Sequence, residues 1–325
     1  MQWLNSGDKV KIIRVFPRKT KATPIDENVR INCGPELWDE ADEVHVSVSF
    51  SYDLPRAEWL AKQWKHVAPV KIGGPATGDK GGEFTPGMYL KPGYVVTSRG
   101  CPNSCWFCDA WKREGRTIRE LEVKDGYNIL DNNILACSPK HQEKVFKMLE
   151  RQKEKAMFTG GLEAARFMEY HAEVLQQLKP QTFAFAYDEP SDWAPLVNAS
   201  QICRGVGLVG PGIGHTCRAY VLVGYPKDTM QAAEERLKAV CSLYIMPEAM
   251  LYEKEKHRKA NDGWVGFQKQ WIHPILVGRK MKEAQCQKRG SVRPGGRNDS
   301  KRYIDKGEIH RKSNQDCKTW FRFLA

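Results

Sequence analysis

Residues 100–108 read Gly-Cys-Pro-Asn-Ser-Cys-Trp-Phe-Cys. The cysteines of this stretch have a C-x3-C-x2-C spacing and are Cys101, Cys105 and Cys108. Their i, i+4, i+7 positions would also suit one buried face of a helix, because free cysteine packs as a small apolar side chain. Gly100 before the first cysteine and Pro102 after it disfavour a helix here. The stretch is therefore predicted to be a loop that gathers three thiols.

Three thiols this close are suited to binding a metal or a metal cluster. Structural zinc normally takes four ligands, often from paired C-x2-C motifs, and the chain has no second C-x2-C. A [4Fe-4S] cluster is usually held by four cysteine thiolates, so three thiolates leave one iron open to a small molecule. A cluster with an open iron is the favoured interpretation, and a closed zinc site and plain packing are the alternatives.

The cysteine stretch lies at the start of a regular alternation of strands and helices. Predicted strands cover 93–98, 127–130, 156–159, 182–186, 217–223 and 243–246. Predicted helices cover 140–153, a segment after the third strand that runs through residue 170, 192–204 and 228–241. Six strands that alternate with helices predict a parallel sheet with right-handed crossovers. In such barrel-like folds the chemistry lies at the carboxyl ends of the strands.

The cysteine motif, with an aromatic residue before its last cysteine, resembles the signature of the radical S-adenosylmethionine (radical SAM) enzymes. The resemblance covers roughly residues 93–252 and implies an α/β fold with an open (β/α)6 partial barrel. It implies that the three cysteines hold a [4Fe-4S] cluster and that S-adenosylmethionine chelates the open iron through its amino and carboxylate groups. The implied activity is reductive cleavage of S-adenosylmethionine to a 5′-deoxyadenosyl radical, which abstracts hydrogen from a substrate.

The same resemblance implies two kinds of partner. A reductant such as flavodoxin or ferredoxin would supply the electron. The open side of a partial barrel suggests a sizeable substrate, such as a peptide or a nucleic acid; this step is an analogy.

The resemblance also implies cofactor contacts near the first three strands. Phe107 would lie beside the adenine of S-adenosylmethionine. Many family members carry Gly-Gly-Glu after the second strand, where this chain has Asp131-Asn132-Asn133. Asp131 is a plausible substitute for that glutamate, because a carboxylate pairs with an ammonium, and Asn133 is a further candidate contact. An Asx turn that caps the next helix is the alternative for Asp131.

The segment after the third predicted strand carries two glycines and two charged residues. Gly160 and Gly161 allow the backbone to approach a ligand closely. Glu163 and Arg166 bring both signs of charge to the same mouth of the barrel. Their i, i+3 spacing leaves open that they only pair with each other.

Candidate contacts also follow the fourth and fifth strands. Tyr187 and Asp188 are candidates for the ribose or the substrate, with a simple turn before Pro190 as the alternative. Residues 224–229 read Gly-Tyr-Pro-Lys-Asp-Thr and resemble the Gly-x-Pro-x-x-Thr turn that passes the adenine in this superfamily. This resemblance adds Gly224 and Pro226. Arg218, on the fifth strand, points into the barrel or forms a surface salt bridge.

Residues 1–92 are predicted to form a small α/β unit and a linker. Residues 44–50 alternate as a strand does, 56–65 have apolar residues at helical spacing, and 67–72 form the next strand. Strand, helix and strand predict a parallel β-α-β unit. The stretch faintly resembles the N-terminal domain of cobalamin-binding radical SAM proteins, but it lacks the Asp-x-His-x-x-Gly motif. No cobalamin is therefore predicted.

The positive charge is concentrated at the carboxyl end of the chain. The 325 residues carry a net charge of +12, and residues 278–325 contain 14 Lys and Arg against 5 Asp and Glu, a balance of +9. The predicted organisation is therefore a unit at 1–92, a barrel at 93–277 and a basic, flexible tail at 278–325. A basic tail can bind nucleic acid. A metal-stabilised nucleic-acid-binding module without catalysis is the alternative function.

The composition also bears on location. No run approaches the 18 apolar residues typical of a membrane span, and the first residues lack a signal-peptide pattern. The seven cysteines outside the motif are scattered, unlike those of a small disulfide scaffold. A reducing cytoplasm and no membrane partner are the expectations.

Overall fold

The computed structural model describes residues 10–213 and 216–290. The elements of the amino-terminal unit are β1 (Ile12–Phe16), β2 (Val29–Ile31), β3 (Glu43–Ser47), α1 (Leu54–Trp64) and β4 (Val70–Gly73). Its strands form a sheet in the order β2-β1-β3-β4, and every neighbouring pair is parallel. The predicted strand–helix–strand unit is confirmed as β3, α1 and β4, with shifted ends. The sequence analysis does not predict β1 and β2.

This unit has a hydrophobic core of its own. α1 has a proline in its first turn, where the N–H that proline lacks would have no intrahelical acceptor. The helix then places Ala57, Leu60 and Trp64 against Val44 and Val46 of β3, and all five are buried. The periodicity of the helix and the alternation of the strand therefore serve the same core.

The rest of the described chain forms a second, larger unit. Its strands are β5 (Tyr94–Val95), β6 (Ser98–Arg99), β7 (Arg119–Glu120), β8 (Asn128–Ile129), β9 (Met157–Phe158), β10 (Thr182–Ala186), β11 (Cys217–Val223) and β12 (Met246–Leu251). Its helices are α2 (Ala110–Glu114), α3 (Pro139–Glu150), α4 (Glu169–Leu178), α5 (Trp193–Gly205), α6 (Met230–Ser242), α7 (Lys254–Ala260), α8 (Trp264–Ile272) and α9 (Pro274–Gly290).

Six of these strands form one sheet in the order β12-β11-β10-β9-β8-β5, in which every neighbouring pair is parallel. The two short strands β6 and β7 pair antiparallel beside it. Helices α3, α4, α5 and α6 each connect one strand of the six to the next. The prediction of six parallel strands that alternate with helices is thus confirmed.

Some predicted boundaries in the second unit are wrong. The last strand begins at Met246, where the predicted strand ends. The helix expected directly after the third strand begins only at Glu169. A loop and a short 3-10 helix at Ala164–Arg166 precede it, and Gly161 in this loop has a φ of 87°, outside the helical region.

The helices cover one face of the larger sheet. Along β11, Cys217, Ala219 and Val221 are buried in the same hydrophobic cluster as α5 and α6 residues such as Leu196 and Leu237. Successive side chains of a strand point to opposite faces. The alternate residues of β11 therefore face away from these helices.

The predicted boundary at 277/278 falls inside α9. Val277 and Met281 of this helix are buried, and the Lys280 ammonium lies 3.4 Å from the Glu234 carboxylate of α6. The start of the predicted tail is therefore part of the packed unit, and residues 291–325 of that tail lie outside the described residues. In the described part of the chain, no helix combines the length and the apolar character that a bilayer-spanning helix needs.

Candidate functional site

The cysteine stretch is an irregular loop between β6 and α2. The Cys101 N–H donates to the Gly115 carbonyl at 3.1 Å, and the Cys108 N–H donates to the Cys105 carbonyl at 3.2 Å. The Trp111 indole N–H donates to the same Cys105 carbonyl at 2.9 Å. The first helix after the loop begins at Ala110, and all three cysteines are partly exposed. The alternative of a buried helix face is therefore wrong.

The three thiols influence one another electrostatically. Burial, and then the charges of Cys108 and Cys101, raise the pKa of the Cys105 thiol to about 11. Burial also raises the pKa of the Cys101 thiol, whereas hydrogen bonds from Asn103 and Asn133 lower it. Neighbouring thiolates that repel each other are stabilised by a bound cation, and metal binding to such thiols releases protons.

The spacing of the thiols bears on which metal they could hold. Two sulfurs on one tetrahedral zinc would lie about 4 Å apart, as follows from a Zn–S bond of about 2.3 Å. Among the described residues, the group with three ligand atoms within 4.8 Å of one another is Asp131, Cys137 and His141, and it includes none of the loop cysteines. The three loop sulfurs therefore do not all lie within 4.8 Å of one another.

Polar side chains from the ends of β8 and β9 meet beside Cys101. The Asn133 side-chain amide donates to the Glu163 carboxylate at 2.6 Å, and its nitrogen lies 3.9 Å from the Cys101 sulfur. Arg166 donates to the same Glu163 carboxylate oxygen at 2.7 Å. The Asn133 side-chain oxygen is buried without a hydrogen-bond partner in the structure. An unpaired buried acceptor beside a carboxylate suits a ligand that brings N–H donors.

The Asp131 carboxylate, unlike the Asn133 side-chain oxygen, is already occupied by hydrogen-bond donors of the protein. It is 1% exposed, and its carboxylate accepts hydrogen bonds of 2.6 Å from the Thr97 N–H, the Thr97 hydroxyl and the Ser98 hydroxyl. Burial nevertheless raises the pKa of Asp131. These bonds tie the end of β8 to the segment before the cysteine loop. The structure therefore gives Asp131 a positioning contact, which differs from both sequence-based alternatives, ammonium binding and an Asx turn.

The neighbouring Cys137 and His141 complete a buried polar network around Asp131. The His141 ring nitrogen Nε2 lies 3.1 Å from the Thr97 hydroxyl, which itself donates to Asp131. Burial raises the pKa of the Cys137 thiol to about 12. The Asp131 and His141 side chains are thus satisfied by protein partners and need no ion to explain their burial.

Gly160 is required by packing within the protein. A Cβ atom at this position would lie 2.2 Å from the Asp131 carbonyl oxygen, so no larger residue fits without a shift of the backbone. Gly161 has a φ of 87°, in the left-handed region that favours glycine. The close approach that the sequence analysis assigns to a ligand is, at Gly160, an approach between the ends of β8 and β9.

The end of β10 combines a turn with a perturbed carboxyl group. The Asp188 and Glu189 N–H groups both donate to the Asp192 carboxylate at 2.9 Å, which forms the turn before α5. The Asp188 carboxylate accepts from the Leu222 N–H at 2.9 Å. Burial, with a smaller effect of Asp192 and Glu189, raises the pKa of Asp188 to about 7. Tyr187 packs against Trp193 with ring centroids 5.2 Å apart.

Trp106 connects the cysteine loop, which follows the edge strand β5, to the segments after β11 and β12 at the other end of the strand order. It is 45% exposed, and its ring centroid lies 5.8 Å from that of Tyr225 after β11 and 5.5 Å from that of Tyr252 after β12. Phe107 packs edge-on against Trp106 at 5.4 Å. The sequence analysis did not identify Tyr225 and Tyr252, because nothing in the sequence indicates which loops meet across the sheet.

The turn after β11 is held by contacts with neighbouring residues. The Gly224 carbonyl accepts from the His257 ring at 2.7 Å, and a Cβ atom on Gly224 would lie 2.6 Å from the Leu251 side chain. Thr229 caps α6 by accepting from the Ala232 N–H at 3.1 Å. Pro226 is exposed at the surface of the turn.

Arg218 lies on the sheet face that the helices leave uncovered. Its guanidinium donates to the Glu248 carboxylate at 2.9 Å, and its Nε is buried without a partner. Tyr220 pairs in register with Glu248 and shares this face, and burial raises its pKa to about 12. On β8, the Asn128 side-chain amide nitrogen is also buried without a partner. The period-2 pattern of β11 could have predicted Tyr220, whereas Glu248 becomes apparent only from the strand register.

The structure thus brings most predicted residues to one edge. The Cys101 sulfur lies beside Asn133, which donates to Glu163 from the neighbouring strand end, and Trp106 meets the segments after the last two strands. Asp131, Gly160 and Gly224 instead support the loops. Comparison of the chain with protein-family models finds no match, and comparison with curated proteins finds none either.

Proposed function

We propose that the chain is a radical SAM enzyme. Cys101, Cys105 and Cys108 would hold a [4Fe-4S] cluster with one open iron for S-adenosylmethionine. When bound, these cofactors supply the chemistry of reductive carbon–sulfur cleavage and hydrogen abstraction from a substrate. The observation that carries the proposal is a three-thiol loop at the carboxyl edge of a six-stranded parallel sheet, next to an unpaired Asn133 acceptor.

We propose further that the sheet is an open (β/α)6 partial barrel. In a flat sheet, β5 and β12 would be separated by five strand spacings of about 4.8 Å, or about 24 Å. Cys101 nevertheless lies beside Asn133 and Glu163, and Trp106 lies against Tyr225 and Tyr252. Contacts of one loop with both sides of the sheet support a curved arrangement of the strand ends.

The residues around Cys101 fit the amino-acid part of S-adenosylmethionine. Asn133 Oδ1 and the Glu163 carboxylate are acceptors for an ammonium group, and Arg166 is a donor for a carboxylate. Glu163 takes the role that the sequence analysis gives to Asp131. Phe107 and Trp106 present aromatic surface beside the thiols for the adenine.

The uncovered face of the sheet is the proposed location of the substrate. Arg218, Tyr220 and Glu248 offer both charges and a hydroxyl there, and the Arg218 Nε still lacks a partner. Asp188 follows the end of β10 and is a candidate to exchange a proton with a bound substrate, because burial raises its pKa to about 7. A polar substrate that can satisfy these groups is therefore favoured.

The decisive experiment is anaerobic reconstitution of the whole chain. We expect about four iron and four sulfide per chain and, with dithionite and S-adenosylmethionine, release of 5′-deoxyadenosine, measured by chromatography. Cys105→Ala should lose both, while Cys33→Ala, at an exposed cysteine of the other unit, should retain both. Stoichiometric zinc without cleavage would overturn the proposal and favour the metal-stabilised binding module.

The same material tests the proposed partners and location. Flavodoxin or ferredoxin with its reductase should replace dithionite, as expected for an enzyme of a reducing cytoplasm. For the nucleic-acid alternative, removal of the residues after Gly290 is a better truncation than one at Gly278, because α9 stays intact. Salt-sensitive nucleic-acid binding that survives this truncation would reject a role for the tail.

A further inference from the structure

A buried carboxylate links the cysteine loop to the neighbouring strand end. Glu114 is the last residue of α2, the helix that follows the three cysteines, and its side chain is 3% exposed. A buried carboxylate has lost its hydration, so the protein must supply hydrogen bonds and positive charge in its place. The donors around Glu114 therefore show which parts of the chain it holds together.

One oxygen of this carboxylate accepts hydrogen bonds from two different segments. The Gly100 N–H donates to Glu114 Oε2 at 3.0 Å, and the Asn132 side-chain amide donates to the same oxygen at 2.6 Å. Gly100 directly precedes Cys101, and Asn132 directly precedes Asn133. Glu114 thus joins the residue before the first thiol of the loop to the residue before the amide that lies beside that thiol.

The other oxygen faces the balancing charges. The Arg113 guanidinium donates to Glu114 Oε1 at 2.9 Å, and a guanidinium nitrogen of Arg99 lies 3.7 Å from the same atom. The two arginine side chains keep some contact with water, with 17% of Arg113 and 22% of Arg99 exposed. Gly100 is buried. Its N–H therefore depends on Glu114 more than the arginines do, because an unpaired buried donor is costly.

The start of the loop is fixed by the same part of the chain. Gly100 has a φ of 87°, and a Cβ atom there would lie 2.4 Å from the Thr117 carbonyl oxygen. The Cys101 N–H donates to the Gly115 carbonyl at 3.1 Å. The segment after α2 thus packs directly against the beginning of the cysteine loop, and Glu114 extends this fixed arrangement to the end of β8.

We propose that Glu114 is a positioning residue for the proposed radical SAM reaction. It holds the start of the cysteine loop and the end of β8 in one arrangement, so that the thiols and the acceptors proposed for the S-adenosylmethionine ammonium group face the same ligand. It acts through Gly100 and Asn132. The role rests on the proposed function, but the contacts that produce it belong to the chain without cofactors.

Hydrogen exchange of the whole chain without cofactors tests the contact itself. In Glu114→Gln, exchange of the Gly100 amide should accelerate at least about tenfold, because a neutral hydrogen bond replaces a charge-assisted one. Glu143→Gln, in the exposed ion pair of α3, is the matched control and should leave this rate unchanged. Equal exchange of the Gly100 amide in Glu114→Gln and the wild type would overturn the proposal, whether or not the chain binds iron.

Asn132→Ala tests the positioning role after anaerobic reconstitution. Asn132 is partly exposed, and its truncation leaves the thiols and the Gly100 contact in place, so iron content and the midpoint of thermal unfolding should match the wild type. S-adenosylmethionine should bind about tenfold more weakly, and its effect on the electron paramagnetic resonance spectrum of the reduced cluster should require correspondingly more ligand. A role in stability alone would lower the midpoint and would not change this affinity selectively.

Two further variants complete the experiment. Asn132→Gln retains an amide donor and should bind S-adenosylmethionine more tightly than Asn132→Ala, and Asn198→Ala, at an exposed position of α5, should match the wild type. If Asn132→Ala bound S-adenosylmethionine as tightly as the wild type, the positioning role would be rejected. A wild-type chain that binds no iron would instead overturn the proposed function, and the exchange of the Gly100 amide would still decide whether Glu114 fixes the loop.

Discussion

The two parallel sheets of this protein carry different chemistry on equivalent edges. At the carboxyl edge of the smaller sheet, the loops after β1 and β3 offer hydroxyl groups around an Arg18–Asp53 ion pair. At the carboxyl edge of the larger sheet, the segment after β5 offers three thiols, with Asn133 and Glu163 beside them. The shared strand direction explains why both groups of side chains lie at carboxyl edges. The loops alone decide which chemical groups each edge presents.

The cores beneath these edges are also separate, which gives the prediction with the largest effect. Trp64→Ala, at a fully buried tryptophan of α1, should cost about 3–5 kcal/mol, and Phe158→Ala on β9 should cost a similar amount. In hydrogen exchange, Trp64→Ala should reduce amide protection in the smaller sheet, and Phe158→Ala should reduce it in the larger sheet. Equal loss of protection in both sheets would show that the two cores unfold as one.

Asp188 should make the larger unit sensitive to pH. The native carboxyl, with a pKa of about 7, holds its proton over a range in which the unfolded chain, with a pKa near 3.8, has lost it. Stability should therefore fall as the pH rises from about 4 to 7, and Asp188→Asn should be about 2–4 kcal/mol more stable than the wild type at pH 8. Denaturant unfolding at several pH values measures this difference.

The control for that experiment is Asp125→Asn, whose side chain is 78% exposed. Its stability should follow the wild-type pH profile. If Asp188→Asn also followed it, the raised pKa of Asp188 would be refuted.

Gly160→Ala tests the contact between the ends of β8 and β9. Its Cβ would meet the Asp131 carbonyl oxygen, so we expect a loss of about 2 kcal/mol and weaker iron binding through displacement of the Asp131 contacts. Gly205→Ala, where a Cβ would meet nothing within 4 Å, should be neutral or slightly stabilising. Thermal unfolding and iron content are the measurements, and equal behaviour of the two variants would contradict the packing role.

Glu163→Gln has the smallest expected effect and concerns the proposed cofactor contact. We expect S-adenosylmethionine to bind about tenfold more weakly to the reconstituted variant, because a neutral amide replaces a carboxylate beside the ammonium. Iron content should not change, since the thiols are untouched. Glu143→Gln, in an exposed ion pair of α3, provides the control. Unchanged affinity in Glu163→Gln would show that residues other than Glu163 bind the ammonium group.

Local patterns predicted much of this structure. The alternation of strands and helices gave six parallel strands, and Gly100 and Pro102 gave an irregular cysteine loop. Two predicted boundaries were wrong: β12 begins where its predicted strand ends, and α9 continues across the predicted start of the tail. β1 was missed, although Ile12-Ile13-Arg14-Val15-Phe16 has the apolar, β-branched composition of a strand.

The sequence by itself determined which residues stand together along the chain: three thiols in eight positions, and a polar residue or glycine after the second to fifth predicted strands. The tertiary structure decided which of these groups meet. It buried Asp131 under Thr97 and Ser98, placed Glu163 beside Cys101 through Asn133, and brought Trp106 to Tyr252. Spacing in a sequence fixes neighbours within one loop, whereas contacts between loops depend on strand order, register and the course of the sheet. Those are properties of the whole packed core.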